Sequence, residues 1–69
     1  MTLKQAIDAA NTADEAFEAA VHAAGYKSRW HWNQHLDPGP ESLRAAYRAK
    51  VTADNARHAA FERSRKQHA

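Results

Sequence analysis

The residues best suited to recognition fall in one short stretch, Gly25-Tyr26-Lys27-Ser28-Arg29-Trp30-His31-Trp32-Asn33-Gln34-His35-Leu36. Three of the six aromatic residues, Tyr26, Trp30 and Trp32, lie there within seven positions. Trp, Tyr and Arg are enriched at the energetic centres of protein interfaces, because they offer large rigid area with a polar or charged tip. Tyr26, Arg29, Trp30, Trp32 and His35 are therefore the expected partner-binding residues. At helical spacing the two tryptophans point to different sides. One is expected to plug the end of a helical core, as a highly buried residue type does, and the other to face water. Ser28 is expected to cap a short helical turn running through Leu36.

Catalysis has little to work with. His31 and His35 stand at i and i+4, which offers two imidazoles on one helical face. The run between them lacks the glutamate of a metalloprotease helix, and no third ligand accompanies it. His22, His58 and His68 have no ligand spacing to that pair. There is no cysteine. Ser28, Ser42 and Ser64 lack a nucleophile-elbow context. Gly25 and Gly39 are the only glycines, too few for a phosphate-binding loop. Glu15 and Glu18 pair only as helix-surface neighbours. The expectation is a non-enzymatic protein with no metal and no cofactor.

Two helices must position the aromatic stretch. The first is expected over residues 3–24. Thr2 with Gln5 forms a capping-box pattern, and Gly25 stands where a left-handed residue ends a helix. The second is expected over residues 40–66. The break Asp37-Pro38-Gly39-Pro40 precedes it, with Pro40 in the first turn and Glu41 at the positive end of the dipole. Residues 25–39 form the connector, and residues 67–69 are expected to fray. Each helix carries a sector of large apolar residues, Leu3, Ile7, Phe17 and Val21 on the first and Leu43, Tyr47, Val51 and Phe61 on the second. Beside each lies a sector of alanine. The combined stripe is about twice the ~100° that one neighbour requires. These eight large residues are the expected core and dimer contacts.

Alanine supplies 17 of the hydrophobic residues in this 69-residue chain. A short domain filled with methyl groups has difficulty offsetting ~1–2 kcal/mol of backbone entropy per residue. A second copy is the expected remedy. The fold expected is all-α: an antiparallel helical hairpin with a short connector helix, dimerising into a four-helix bundle. The alternative is a three-helix monomer whose connector covers the open face.

Charge is unevenly divided. Residues 1–25 carry net −3 and residues 26–69 net +5. Opposite charges favour side-by-side packing of the two helices, within a chain or between copies. Asp14 and Asp54 each fall in a large-residue sector, where a lone carboxylate is costly. Asp14 is expected to pair with Arg57 or Lys50. A short echo, Thr12-Ala13-Asp14 with Thr52-Ala53-Asp54, reflects similar helix composition rather than a repeat architecture. The basic second helix offers Arg44, Arg48, Arg63, Arg65 and Lys66 as phosphate contacts if the partner is RNA or DNA. No helix-turn-helix pattern lies beneath them. No apolar run approaches the ~18 residues of a membrane span, and no signal peptide is read at the N-terminus. The expected setting is the cytoplasm, without a membrane partner.

By architecture rather than motif, the Ala-rich hairpin resembles the small plasmid copy-number proteins that dimerise into four-helix bundles and grip paired RNA loops. The aromatic connector departs from their tight turn, so RNA binding does not carry over. Small size, absence of cysteine and an aromatic loop also resemble short phage-encoded proteins of the anti-activator type, which bind host regulators or motors and switch them off. That resemblance implies capture and inhibition of another protein, such as a transcriptional regulator. No functional residue of that group maps onto this chain.

Overall fold

In a computed structural model of the chain, residues 2–33 and 36–67 are described. Helix α1 spans Leu3–Ala23, a single 3-10 turn spans Arg29–His31, and helix α2 spans Glu41–Gln67. The two helices pack against each other as an antiparallel hairpin, and no strand occurs among the described residues.

The helix ends follow local chemistry. The Thr2 hydroxyl accepts from the Gln5 amide, and the Gln5 side chain accepts from the Thr2 amide at 2.8 Å. At the other end, the Gly25 amide donates to His22 and the Tyr26 amide to Val21. Gly25 has φ +95°, so this is a Schellman closure with Ala24 as its cap rather than a helical residue. Pro40 likewise stands just outside α2. Its carbonyl accepts from the Leu43 and Arg44 amides, and the helix proper begins at Glu41. The helical turn of the connector ends at His31 rather than running through Leu36, and the Asn33 carbonyl accepts from the Leu36 and Asp37 amides in a separate turn. Trp32 adopts extended backbone, φ −99° and ψ 120°, which ends the helical turn and directs its ring into the core. Of the expected frayed end 67–69, Gln67 is instead the last residue of α2, while residues 68 and 69 lie outside the described residues, as does His35.

The core is concentrated at the connector end. Phe17, Val21, Trp32 and Leu43 are buried, with Ala20, Ala24, Tyr26 and Tyr47 packed around them. The opposite half is held by Ala6, Ala10 and Ala60. A buried methyl contributes about 0.8 kcal/mol, whereas a fully buried Val, Leu or Phe contributes about 1.5–3 kcal/mol. The connector end therefore carries most of the burial energy.

The position of the seam differs from the sector expected in sequence. It runs through Ala6, Ala10, Phe17 and Val21 on α1 and through Leu43 and Ala60 on α2. Ile7 is one position off this line and 38% exposed, Val51 is 36% exposed and Phe61 52% exposed. Leu3 is half-buried. These four do not enter the core of the single chain. The physical reason is close approach: small residues let the axes draw together, and larger side chains move to the flank.

Gly39 holds the entry to α2 at φ +70°. A Cβ there would stand 3.0 Å from Leu43 Cδ2 and 3.4 Å from Trp32 Nε1. At Gly25 a Cβ would meet nothing within 4 Å. Gly39→Ala is expected to destabilise by about 1–3 kcal/mol, and by more than Gly25→Ala, which costs only the left-handed conformation, about 1–2 kcal/mol. Urea unfolding of the two variants checks the order. Equal losses would contradict the packing described around Gly39.

Candidate partner-binding site

The connector is held down by two anchors. Arg29 is the first. One Nη donates to both carboxylate oxygens of Asp14, at 2.8 and 2.9 Å, and Nε donates to Glu18 at 2.6 Å. Its guanidinium lies 5.3 Å from the centre of the Phe17 ring. The fork geometry of arginine allows this double engagement, which an ammonium does not reproduce. Hydrogen bonds to Glu18 and then Asp14 raise the pKa of Arg29 above its ordinary value. The carboxylate of Asp14 therefore finds its cation in the connector, not in Arg57 or Lys50. The connector doubles back along α1 and reaches Asp14 first, while Lys50 pairs with Asp54 on its own helix at 2.6 Å.

Asp37 is the second anchor. Its carboxylate accepts from the Tyr26 hydroxyl and, at 3.2 Å, from the Gly39 amide. Its carbonyl accepts from Trp32 Nε1 at 2.8 Å. The bond to Asp37 raises the Tyr26 pKa above its ordinary value of 10.0, because the carboxylate needs the phenolic proton. Ser28 does not cap the turn through its side chain. Its hydroxyl instead lies 2.8 Å from His31 Nδ1.

Between these anchors the Trp32 ring packs at 5.8 Å from Phe17 and 5.4 Å from Tyr47, and those two rings stand 5.6 Å apart. All three pairs are tilted or edge-on, the favoured aromatic geometry. Trp32 is thus the tryptophan that plugs the core. Trp30, two residues earlier, is 87% exposed. It stands at the rim of an open cleft of about 430 Å³ whose walls include Phe17, Arg29, Trp32, Tyr47 and Lys50. Leu36, at the other end of the connector, is 85% exposed.

Of the expected partner-binding residues that are described, only Trp30 is largely exposed to water, and His35 lies outside the described residues. Tyr26 and Arg29 are half-buried and hold the connector, and Trp32 is buried. Asp14, Glu18 and Asp37 were not singled out as site residues in the sequence. The cost of a carboxylate within an apolar sector points toward Asp14, and an Asp before Pro-Gly is a turn signal. Nothing in the spacing points to Glu18.

The basic residues of α2 are distributed along exposed surface. Arg44 and Arg48 both pair with Glu41, at 3.1 and 2.6 Å, and Arg65 pairs with Glu62 at 2.9 Å. Arg63 and Lys66 are exposed without an ion pair among the described residues. No group of three or more His, Asp or Glu residues among those described is arranged to hold a metal. None of the described helices is long and apolar enough to cross a membrane. No protein-family model, curated protein or solved structure matches this chain.

Two outcomes follow. Arg29→Ala is expected to cost about 1–2 kcal/mol, since charge-assisted bonds are worth about 1.5–3 kcal/mol but the carboxylates here are partly solvated. Arg29→Lys should recover little of it. Chemical denaturation checks both, and full recovery by lysine would contradict the bidentate role. Glu41 has its pKa lowered below 4.5 by Arg48 and then Arg44. Its pairs stabilise the fold above that value, and the stabilisation is lost as pH falls below it. Glu41→Gln should therefore show a shallower acid limb in a stability–pH profile than the parent chain, and an unchanged limb would count against the pairing.

Proposed function

We propose that the chain is a small non-enzymatic, self-associating module that captures another protein in the cytoplasm and inhibits or modulates it, with Trp30 as its anchor. The observation that carries this proposal is an almost fully exposed tryptophan on a connector fastened at both ends. An isolated tryptophan in water loses the burial its large apolar area favours. Fastening matters because association is opposed by the entropy of ordering loops at an interface. Arg29 and Asp37 fasten the described parts of this one. Leu36, at the other end of the connector, is a second exposed apolar side chain. Capture of a host regulator is also what the small phage-encoded inhibitors do that this chain resembles in size and loop character.

Self-association is supported by what the single chain leaves uncovered. Ile7, Val51 and Phe61 remain at least a third exposed along the helices, and half of the seam is alanine alone. A second hairpin closing over them gives the four-helix arrangement. The basic face of α2 supports an alternative, an RNA or DNA partner, only weakly, because Arg44, Arg48 and Arg65 are each engaged by a carboxylate of their own helix. If phosphate contacts dominated, affinity would fall steeply with ionic strength, and Arg63→Ala or Lys66→Ala would lower that slope.

The decisive comparison is between the two tryptophans. Trp30→Ala should abolish recovery of the partner from the native host while leaving the helical circular dichroism intact. Trp32→Ala removes a buried ring, at about 3–5 kcal/mol. That is comparable with the whole stability expected of so short a chain at ~0.05–0.15 kcal/mol per residue, so this variant should lose its helical signal. If Trp30→Ala retains its partner at full affinity, the connector is not the capture site.

A further inference from the structure

The hairpin has two halves of different thickness. On one half the connector lies over the helix pair, with Arg29 on Asp14, Glu18 and Phe17 and with Trp32 among the core rings. On the other half no described residue lies over the seam, and Leu3, Ile7, Arg57, His58 and Phe61 line an open groove of about 360 Å³. Both features belong to one face. Ile7, Asp14 and Glu18 follow one another at i, i+7 and i+11 along one flank of α1. Lys50, Asp54, Arg57 and Phe61 do so at i, i+4, i+7 and i+11 along the adjoining flank of α2. Trp30 stands on the raised half of that face and shares its cleft with Lys50.

Given the self-association proposed above, we infer that the groove is filled by Trp30 of a second copy, in a two-fold pair whose hairpins run in opposite directions. A raised half and a recessed half on the same face are self-complementary under such an axis. Trp30 of each copy meets Leu3, Ile7 and Phe61 of the other, and the contact is made twice. With both connectors at the same end, raised half would meet raised half and hold the recessed halves apart. Arg57 at the edge of the groove supplies a guanidinium that stacks on an indole. The molecule extends 45 × 20 × 18 Å, so one of its long sides has room for the roughly 800 Å² per partner of a standard interface. Trp30 brings about 150–250 Å² to it. A consequence follows for the capture site: pairing covers the anchor, so self-association and capture of another protein exclude each other. The pair is the masked form and the single chain the active one.

Sedimentation across low micromolar to sub-millimolar concentration, read together with acrylamide quenching of tryptophan fluorescence, tests this. The Trp30→Phe variant supplies the signal of Trp32 alone, to be subtracted. The Trp30 signal should lose its accessibility to quencher in step with pairing. Phe61→Asp and Trp30→Ala should each weaken pairing about 30-fold or more, as loss of a central anchor does, with helicity unchanged. Phe61→Asp should leave Trp30 quenchable at every concentration. If Phe61→Asp loses helicity, Ile7→Asp at the same groove carries the test. A pair in which Trp30 remains quenchable overturns the arrangement while leaving self-association standing. A wild-type chain that stays single throughout overturns both.

Discussion

Burial of the Trp32 ring is the constraint on which the rest of the molecule depends. Two alanine-rich helices alone offer each other a seam of methyl groups, and methyl groups hold weakly. Trp32 brings one of the two largest side chains in the sequence to the place where the helices present large partners, Phe17, Val21, Leu43 and Tyr47. Its indole nitrogen would be an unsatisfied donor there without the Asp37 carbonyl. The connector is therefore not a passive link. Its described part lies over half of the hairpin, and the turn at Arg29–His31 followed by extended backbone at Trp32 delivers this ring.

Fixing Trp32 also fixes what lies beside it. Arg29 is carried to Asp14 and Glu18, three residues before the buried ring, and Trp30 is left on the outer side of the same turn. The extended backbone at Trp32 and the short 3-10 turn before it make the two tryptophans diverge. One indole stabilises the fold, and its neighbour is displayed by it. The same distribution leaves the far half of the hairpin thin, with Ile7 and Phe61 on its flank. Stability and exposure are thus set by one asymmetry.

Much of this was legible in the sequence. The capping box at Thr2 and Gln5, the glycine closure at Gly25 and the break at Pro38-Gly39-Pro40 each have local causes, and each helix end lies within one residue of its expected position. That the two tryptophans would part company was expected from helical spacing, although the divergence comes from the extended backbone at Trp32 rather than from a helix. Which one is buried did not, because that depends on where the turn stops, and the turn stops for the sake of a core built from both helices. The seam was displaced for a similar reason. A wheel ranks residues by size, whereas axes that draw close select the alanine line and push Ile7, Val51 and Phe61 to the side. The partner of Asp14 was hidden because Lys50 and Arg57 lie on the facing helix, while the cation that reaches it comes from a connector whose return path no periodicity encodes.

The most direct test of this account is residue-resolved amide hydrogen exchange at low micromolar concentration. If the connector end holds the fold, amides around Phe17 to Val21 and Leu43 to Tyr47 exchange slowest. Amides of Leu3 to Ala10 and of Ala56 to Gln67 then exchange faster, through local opening of the thin half. Protection that is even along the hairpin, or greatest at the alanine end, would contradict the central role given to Trp32.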